Sequence, residues 1–314
     1  MYFLITSIRN LLFDMGLLRC HDARIPVISV GNLAMGGTGK TPMVEYILGH
    51  LLSEGHHPAM VSRGYGRKTK GMVFARSHST AKQIGDEPLQ IYQKFQGKVR
   101  VAVTKQRYKA FHYCRVKSDC IVLDDAFQHR YVDRDLDIIL TDYSRRYTHD
   151  RILPWGRLRE SRRGARRADV IVVTKCPPTL TLEEAESIRK EINPRNYQTV
   201  YFTTIDYEPI DLEEKEVNLV TGISNSRPLV EYIRRQGYTI AQHKNYPDHH
   251  RFTEDEKEEI CQLHPPILTT EKDYMRLPEI TDLLTPVRIR VKFLFGGEKE
   301  FINQINEITN GTES

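Results

Sequence analysis

Residues 34–41 read Ala-Met-Gly-Gly-Thr-Gly-Lys-Thr and follow shortly after the apolar run Pro26-Val27-Ile28-Ser29-Val30. The pattern predicts a strand, a glycine-rich turn and a helix over Thr41 to Leu52, an arrangement that holds nucleotide phosphates. Glycines let backbone N–H groups converge on phosphate oxygens. Lys40 is placed to reach the β/γ oxygens, and the Thr41 hydroxyl is placed to hold Mg²⁺. The helix N-terminus adds partial positive charge at the same spot. Ala34 departs from the usual motif, which opens on glycine. A glycine turn that binds nothing is the alternative, and the flanking strand and helix weigh against it.

Outward from this motif, strand-like and helix-like runs alternate. Strands are expected at Val27 to Gly31, Pro58 to Arg63, Val99 to Val103, Cys120 to Asp124, Leu136 to Thr141 and Val170 to Thr174. Several are continuously apolar and β-branched, as strands buried on both faces of a parallel sheet must be. Helical patterns lie between them at Pro88 to Phe95, Gln106 to Val116 and Leu182 to Ile192. The fold class read from this is α/β, a doubly wound, mostly parallel sheet whose ligands sit beyond the carboxyl ends of the strands. After Pro194 the texture changes. Thr199 to Ile210 and Val287 to Phe295 read as a two-stranded β-ribbon. Between them lies a smaller α/β unit, with strands at Val217 to Thr221, Ile240 to Tyr246 and Ile267 to Thr270, and helices at Pro228 to Gln236 and Thr253 to Leu263.

A chain of 314 residues, 39% hydrophobic and 28% charged, has an ample core and suits two modest domains or one large one. Its net charge of +5 is unevenly spread, with nine arginines between Arg145 and Arg167. The five cysteines lack metal-type spacing and fit a reducing compartment. Met1 to Leu18 is rich in Leu, Ile and Phe but interrupted by Arg9, Asn10 and Asp14. It is too short and charged to span a bilayer and lacks a secretory cleavage site. An amphipathic helix on a membrane surface and a helix packed on the domain's own core fit it equally.

Four segments carry further chemistry. Cys120-Ile121-Val122-Leu123-Asp124-Asp125 is an apolar strand ending in two carboxylates, where P-loop proteins bind Mg²⁺; a turn cap is the plainer reading. Ser62-Arg63-Gly64-Tyr65-Gly66-Arg67 suggests a loop that meets an anion, or a glycine turn with solvated arginines. Asp86, in Gly85-Asp86-Glu87-Pro88, is either a helix N-cap or the acceptor of a proton from an attacking hydroxyl; residue type alone favours the cap. The arginine stretch offers phosphate binding, yet nothing resembles a recognition helix or base-stacking module, which disfavours nucleic acid. A partition-type ATPase would carry Lys at Met35, and a GTPase would carry Asn-Lys-x-Asp where Thr174-Lys175-Cys176-Pro177 and Thr270-Glu271-Lys272-Asp273 stand. Both readings lose ground, and a P-loop ATPase or GTPase switch stays as the alternative to a phosphotransferase.

Together the blocks resemble one family, the tetraacyldisaccharide 4′-kinases of lipid A biosynthesis. They are Gly31-Asn32 with Gly36 to Pro42, Ser62 to Arg67, Gly85 to Pro88, Asp124 to His129, Pro154 to Glu160, Asp248-His249 and Thr270 to Asp273, in the family's order over most of the chain. Ala126 stands where the family usually has Gly, and Ser226 where it usually has Pro. The resemblance implies ATP-dependent phosphorylation of the 4′-hydroxyl of an acylated glucosamine disaccharide 1-phosphate. It also implies a peripheral enzyme on the cytoplasmic face of a bacterial inner membrane, and it raises the membrane reading of the first helix. No nucleic acid and no obligate protein partner are expected.

The resemblance further implies residue roles. Asp86, His249 and Lys40 are catalytic, with Asp86 as base and His249 its partner. Met35, Gly36, Gly37, Thr38, Gly39, Lys40, Thr41, Pro42 and Lys272 bind ATP. Thr41, Asp124, Asp125 and Glu160 serve Mg²⁺. Asn32, Arg63, Tyr65, Arg67, Gln128, His129 and Arg159 contact the lipid substrate. The domain division expected is a membrane-associating helix at 1–20, a P-loop kinase domain at 21–198, a ribbon from 199–214 and 287–296, a small domain at 215–286, and a C-terminal helix and tail at 297–314.

Overall fold

The computed structural model describes residues 2–223, 225–248, 250–264 and 266–311. Strands β1 (Val27–Asn32), β2 (Pro58–Ser62), β3 (Val73–Phe74), β4 (Arg100–Val103), β5 (Cys120–Asp124), β6 (Leu136–Asp142), β7 (Val170–Thr174) and β8 (Thr199–Tyr207) belong to one sheet. Strands β9 (Glu216–Thr221), β10 (Thr239–Asn245), β11 (Ile267–Thr270) and β12 (Leu284–Val287) form a second, and β13 (Ile289–Phe293) returns to the first. The large sheet runs β13-β8-β7-β6-β1-β5-β2-β4-β3, parallel except where β3 and β13 pair antiparallel at its edges.

Side-chain alternation explains why both faces of this sheet are covered. Cys120 and Val122 of β5 join one core cluster, with Met43, Ile47 and Leu51 of helix Lys40–Ser53 and Phe301 and Ile305 of helix Glu298–Asn310. Ile121 and Leu123 point the other way, toward Ala110 and Phe111 of helix Tyr108–Cys114. Farther along, Ile171 and Val173 of β7 meet Ala185 and Ile188 of helix Leu182–Ile192. Each large apolar side chain so enclosed contributes about 1.5–3 kcal/mol, which fixes the helix starts relative to the strand ends. The chain moves outward from β1 through β2 to β4, returns to β5, and crosses to β6 on the other side of β1. That reversal opens the crevice at the carboxyl end of β1.

The first half of β8 pairs with β7, Val170 to Val173 against Thr199 to Phe202. Its second half leaves the sheet paired only with β13, Thr203 opposite Phe293 through Tyr207 opposite Ile289. The expected ribbon is therefore an outgrowth of the large sheet's edge. The small sheet runs β10-β9-β11-β12, all parallel, with Leu229 and Ile233 of helix Arg227–Arg235 on one face and Ile260 of helix Glu254–Cys261 on the other. β12 was not expected. Its Pro286 reads against a strand, but β12 is an edge, where a missing N–H costs little.

The N-terminal helix packs on the large domain and leaves apolar side chains outside. Helix Tyr2–Asp14 docks through Asn10, Phe13 and Asp14 onto Glu160, Tyr131 and Arg130. Ile8 and Leu11, with Met15 and Leu17 just beyond it, stay exposed. Among the described residues no helix is long and apolar enough to cross a membrane.

Candidate active site

The phosphate-type loop is braced from outside. Gly36 and Gly39 adopt φ of 120° and 81°, conformations that side-chain-bearing residues rarely take. The Thr174 hydroxyl donates to the Thr38 carbonyl at 2.9 Å, and Lys175 Nζ donates to the Gly37 carbonyl. Because the peptide is planar, a carbonyl pulled outward turns the Gly39 N–H the opposite way. Helix Lys40–Ser53 has no side-chain cap on its first turn, so its leading amides stand open to an anion. Met35 is half exposed, its N–H donating to the Arg157 carbonyl at 2.8 Å. Asn32 departs from the expected substrate contact. It is fully buried, and Nδ2 donates to Thr38 Oγ1 at 2.8 Å, a brace for the loop from beneath.

Asp124 and Asp125 stand at the end of β5, beside β1, with Asp125 in the left-handed region at φ 47°. Lys40 Nζ lies 3.6 Å from Asp125, and Arg159 Nη1 donates to both Asp125 oxygens at 3.0 Å. Burial pushes the Asp125 carboxyl up, but Lys40 and Arg159 outweigh it and hold the group below its ordinary value. Asp124 is buried beside another carboxylate, so its pKa is pushed up to about 6; Ser62 donates to its Oδ2 at 3.0 Å. Buried Arg107, which sequence reading did not single out, grips the turn from behind, donating to the Asp125 carbonyl at 2.9 Å. The oxygens of Asp124, Asp125 and the Thr41 hydroxyl make a hard donor set suited to Mg²⁺.

Opposite this set, Asp86 is the first residue of helix Asp86–Lys94, after Gly85 at φ 96°. It is not the N-cap; Gly85 holds that position. A Cβ on Gly85 would lie 2.9 Å from the Tyr65 carbonyl, so bare backbone lets the 62–67 loop and the start of this helix touch. Asp86 Oδ2 accepts from Arg276 Nε at 3.1 Å, across the cleft from the small domain. A second link spans the same cleft. Lys94, on the same helix, pairs with Glu45 at 2.7 Å and with Glu271 of the small domain at 3.1 Å. Neither Arg276 nor Lys94 carries a motif; only their neighbours Asp273 and Glu271 belonged to a recognised block.

The remaining expected residues divide. Arg63 and Tyr65 are exposed at the crevice edge of β2. Arg67 donates to the Val103 carbonyl of β4 at 3.2 Å and, within its own loop, to the Gly71 carbonyl at 2.6 Å. Gln128 donates to the Asn32 carbonyl and to Glu160, at 2.8 and 3.1 Å. Burial, with Arg107 and Arg134 nearby, pushes His129 down to about 3, so it is a neutral, half-buried ring. Glu160, expected beside Mg²⁺, is held by internal partners. It is 2% exposed, with its oxygens taken by Asn10, Gln128 and Arg167 at 2.9, 3.1 and 3.0 Å. The arginine stretch puts this carboxylate into internal pairing, a fate spacing does not reveal. Lys272 Nζ lies 3.5 Å from Asp248. His249 lies outside the described residues.

A doubly wound sheet with a braced glycine loop and paired carboxylates at its switch point defines an α/β protein of the P-loop type. The family model for LpxK, tetraacyldisaccharide-1-P 4′-kinase, matches residues 1–310, and the chain belongs to that family. The tetraacyldisaccharide 4′-kinase of Flavobacterium johnsoniae is 42% identical over 89% of this chain and 85% of its own length. That of Flavobacterium psychrophilum is 41% identical over 99% and 96%. LpxK from Aquifex aeolicus, crystallised in complex with ATP, is 28% identical with a TM-score of 0.78, covering 98% of this chain and 96% of that one.

Proposed function

We propose that this chain transfers the γ-phosphoryl group of ATP to the 4′-hydroxyl of a tetraacylated glucosamine disaccharide 1-phosphate, giving lipid IVA for lipid A. Whole-length membership of the 4′-kinase family carries this reading. The braced loop supplies its chemistry. Gly36 to Thr41 amides and Lys40 cradle the triphosphate, with Thr41, Asp124 and Asp125 as the residues that would hold Mg²⁺. That ion, when bound, offsets charge on the phosphate oxygens. Asp86 orients the sugar hydroxyl and takes its proton late. Phosphoryl transfer runs through a loose transition state, so placement and charge outweigh basicity.

The apolar side chains exposed along and just after the first helix (Ile8, Leu11, Met15 and Leu17) support seating on a membrane surface. The surface proposed is the cytoplasmic face of the inner membrane, where the acyl chains of the substrate stay in lipid. Arg63 and the exposed members of the 151–166 stretch supply charge toward the substrate's phosphate. The test is radiolabelled ATP with the disaccharide 1-phosphate in mixed micelles. Label in the organic-extractable bisphosphate is expected; label only as free phosphate would refute the transferase reading.

A further inference from the structure

We infer that Arg276 is a positioning residue for phosphoryl transfer, delivering a fixed cation from the small domain to the Asp86 carboxylate. The inference rests on the reading of Asp86 as proton acceptor. Arg276 is nearly buried, its side chain 7% exposed, and its donors are spread over two domains. Nε serves Asp86 Oδ2 at 3.1 Å, while Nη1 serves Asp273 Oδ1 at 3.2 Å and the Gly222 carbonyl at 3.3 Å.

The mount is rigid. Asp273 is fully buried and accepts from the Gly222 N–H at 2.8 Å and the Thr270 hydroxyl at 2.7 Å. Gly222 is held so close that a Cβ there would lie 2.9 Å from Asp273 Oδ1. A flexible surface pair contributes about 0–1 kcal/mol and fixes little. A planar guanidinium held on Asp273 and the Gly222 carbonyl fixes where its Asp86 partner must come to meet it. Other charges near this contact are Glu87, next to Asp86 on its helix, Asp273 on the turn of Arg276, and the Lys94–Glu271 pair two turns along. Asp86 also sits at the N-terminus of its helix.

In the step this serves, a lone pair of the sugar oxygen forms the new P–O bond. The bond from γ-phosphorus to the bridging oxygen breaks with its electrons leaving on ADP, and the hydroxyl proton passes to Asp86. The hydroxyl becomes acidic only as the new bond forms, so the placement of the acceptor outweighs its basicity. What Arg276 adds is that the acceptor is oriented only when the small domain is docked, which ties proton acceptance to closure.

The test compares Arg276→Gln and Arg276→Lys with the parent enzyme, using ATP and the disaccharide lipid in micelles. Arg276→Gln is expected to lower kcat about 10–100-fold with KM for ATP changed less than about threefold. Arg276→Lys keeps the charge and one donor, so it should recover part of kcat. Thermal melting checks folding, and if the Gln variant does not fold, Arg276→Lys alone must still lower kcat. Unchanged kcat in both variants, or a fall in kcat that Arg276→Lys does not partly recover, would overturn the inference. Asp86→Asn separates the two readings. Should it stay active, the acceptor assignment fails; should it be dead while Arg276→Gln is normal, only the role of Arg276 fails.

Discussion

The two walls of the cleft are held by different physics. The phosphate-loop wall is one domain, braced by short hydrogen bonds such as Asn32 to Thr38 and Thr174 to Thr38, both buried. The acceptor wall is assembled from two domains through ion pairs at helix Asp86–Lys94, Arg276 with Asp86 and Glu271 with Lys94. A braced loop is ready before its ligand arrives. A wall made of inter-domain ion pairs exists only while the domains are docked.

The sharpest way to break that contrast is Asp86→Asn, expected to lower kcat by about 10²–10⁴ with little change in KM for ATP. Steady-state kinetics with the lipid acceptor read it, and an unaltered kcat would remove the acceptor wall from the chemistry. Next comes Lys94→Met. It leaves Glu45, whose carboxyl burial already pushes up against the pull of Lys94, without its cation. Breaking such a buried pair costs about 3–5 kcal/mol, toward the lower end here because Glu45 can take up a proton and keeps Gln90 at 2.8 Å. Urea denaturation measures the loss, and a loss under 1 kcal/mol would make this link superficial.

Asn32→Ala probes the other wall. Removing the brace should cost about 1–2 kcal/mol and raise KM for ATP several-fold while kcat at saturation changes little. An unchanged KM would mean that the loop holds its shape without support from beneath. The smallest expected effect concerns His129, depressed to about 3 in the folded chain. A histidine that resists protonation when folded contributes stability fully present above its unfolded pKa near 6.5 and lost as pH falls from there toward 3. Between pH 7 and pH 5 the parent should lose about 1 kcal/mol more than His129→Gln, allowing for partial solvent screening. Parallel denaturation curves at the two pH values decide it, and equal losses would mean that the ring is solvated.

Much of the phosphate wall was legible in the sequence because its signals are local. Glycines needing positive φ, a lysine and a threonine opening a helix, and acids ending an apolar strand each act within a few residues of one another. The acceptor wall was legible only by half. Asp86 stood in a recognisable turn, but Arg276, 190 residues away, gave no signal of its own. The resemblance assigned Glu160 to Mg²⁺ and Arg67 and Gln128 to the lipid. In the folded chain internal partners, invisible to spacing, take up many of their polar atoms. The N-terminal helix showed why periodicity could not choose between core and membrane: one stripe docks on Glu160 and Tyr131 while Ile8 and Leu11 remain outside.

By itself the sequence determined the parallel sheet, the glycine loop and its lysine, because strand burial, backbone freedom and helix polarity are properties of short segments. Only the tertiary structure decided which charges remain for chemistry. Ion pairing is settled by distance in space, and the folded chain gave Glu160 to Arg167, Arg159 to Asp125 and Arg276 to Asp86.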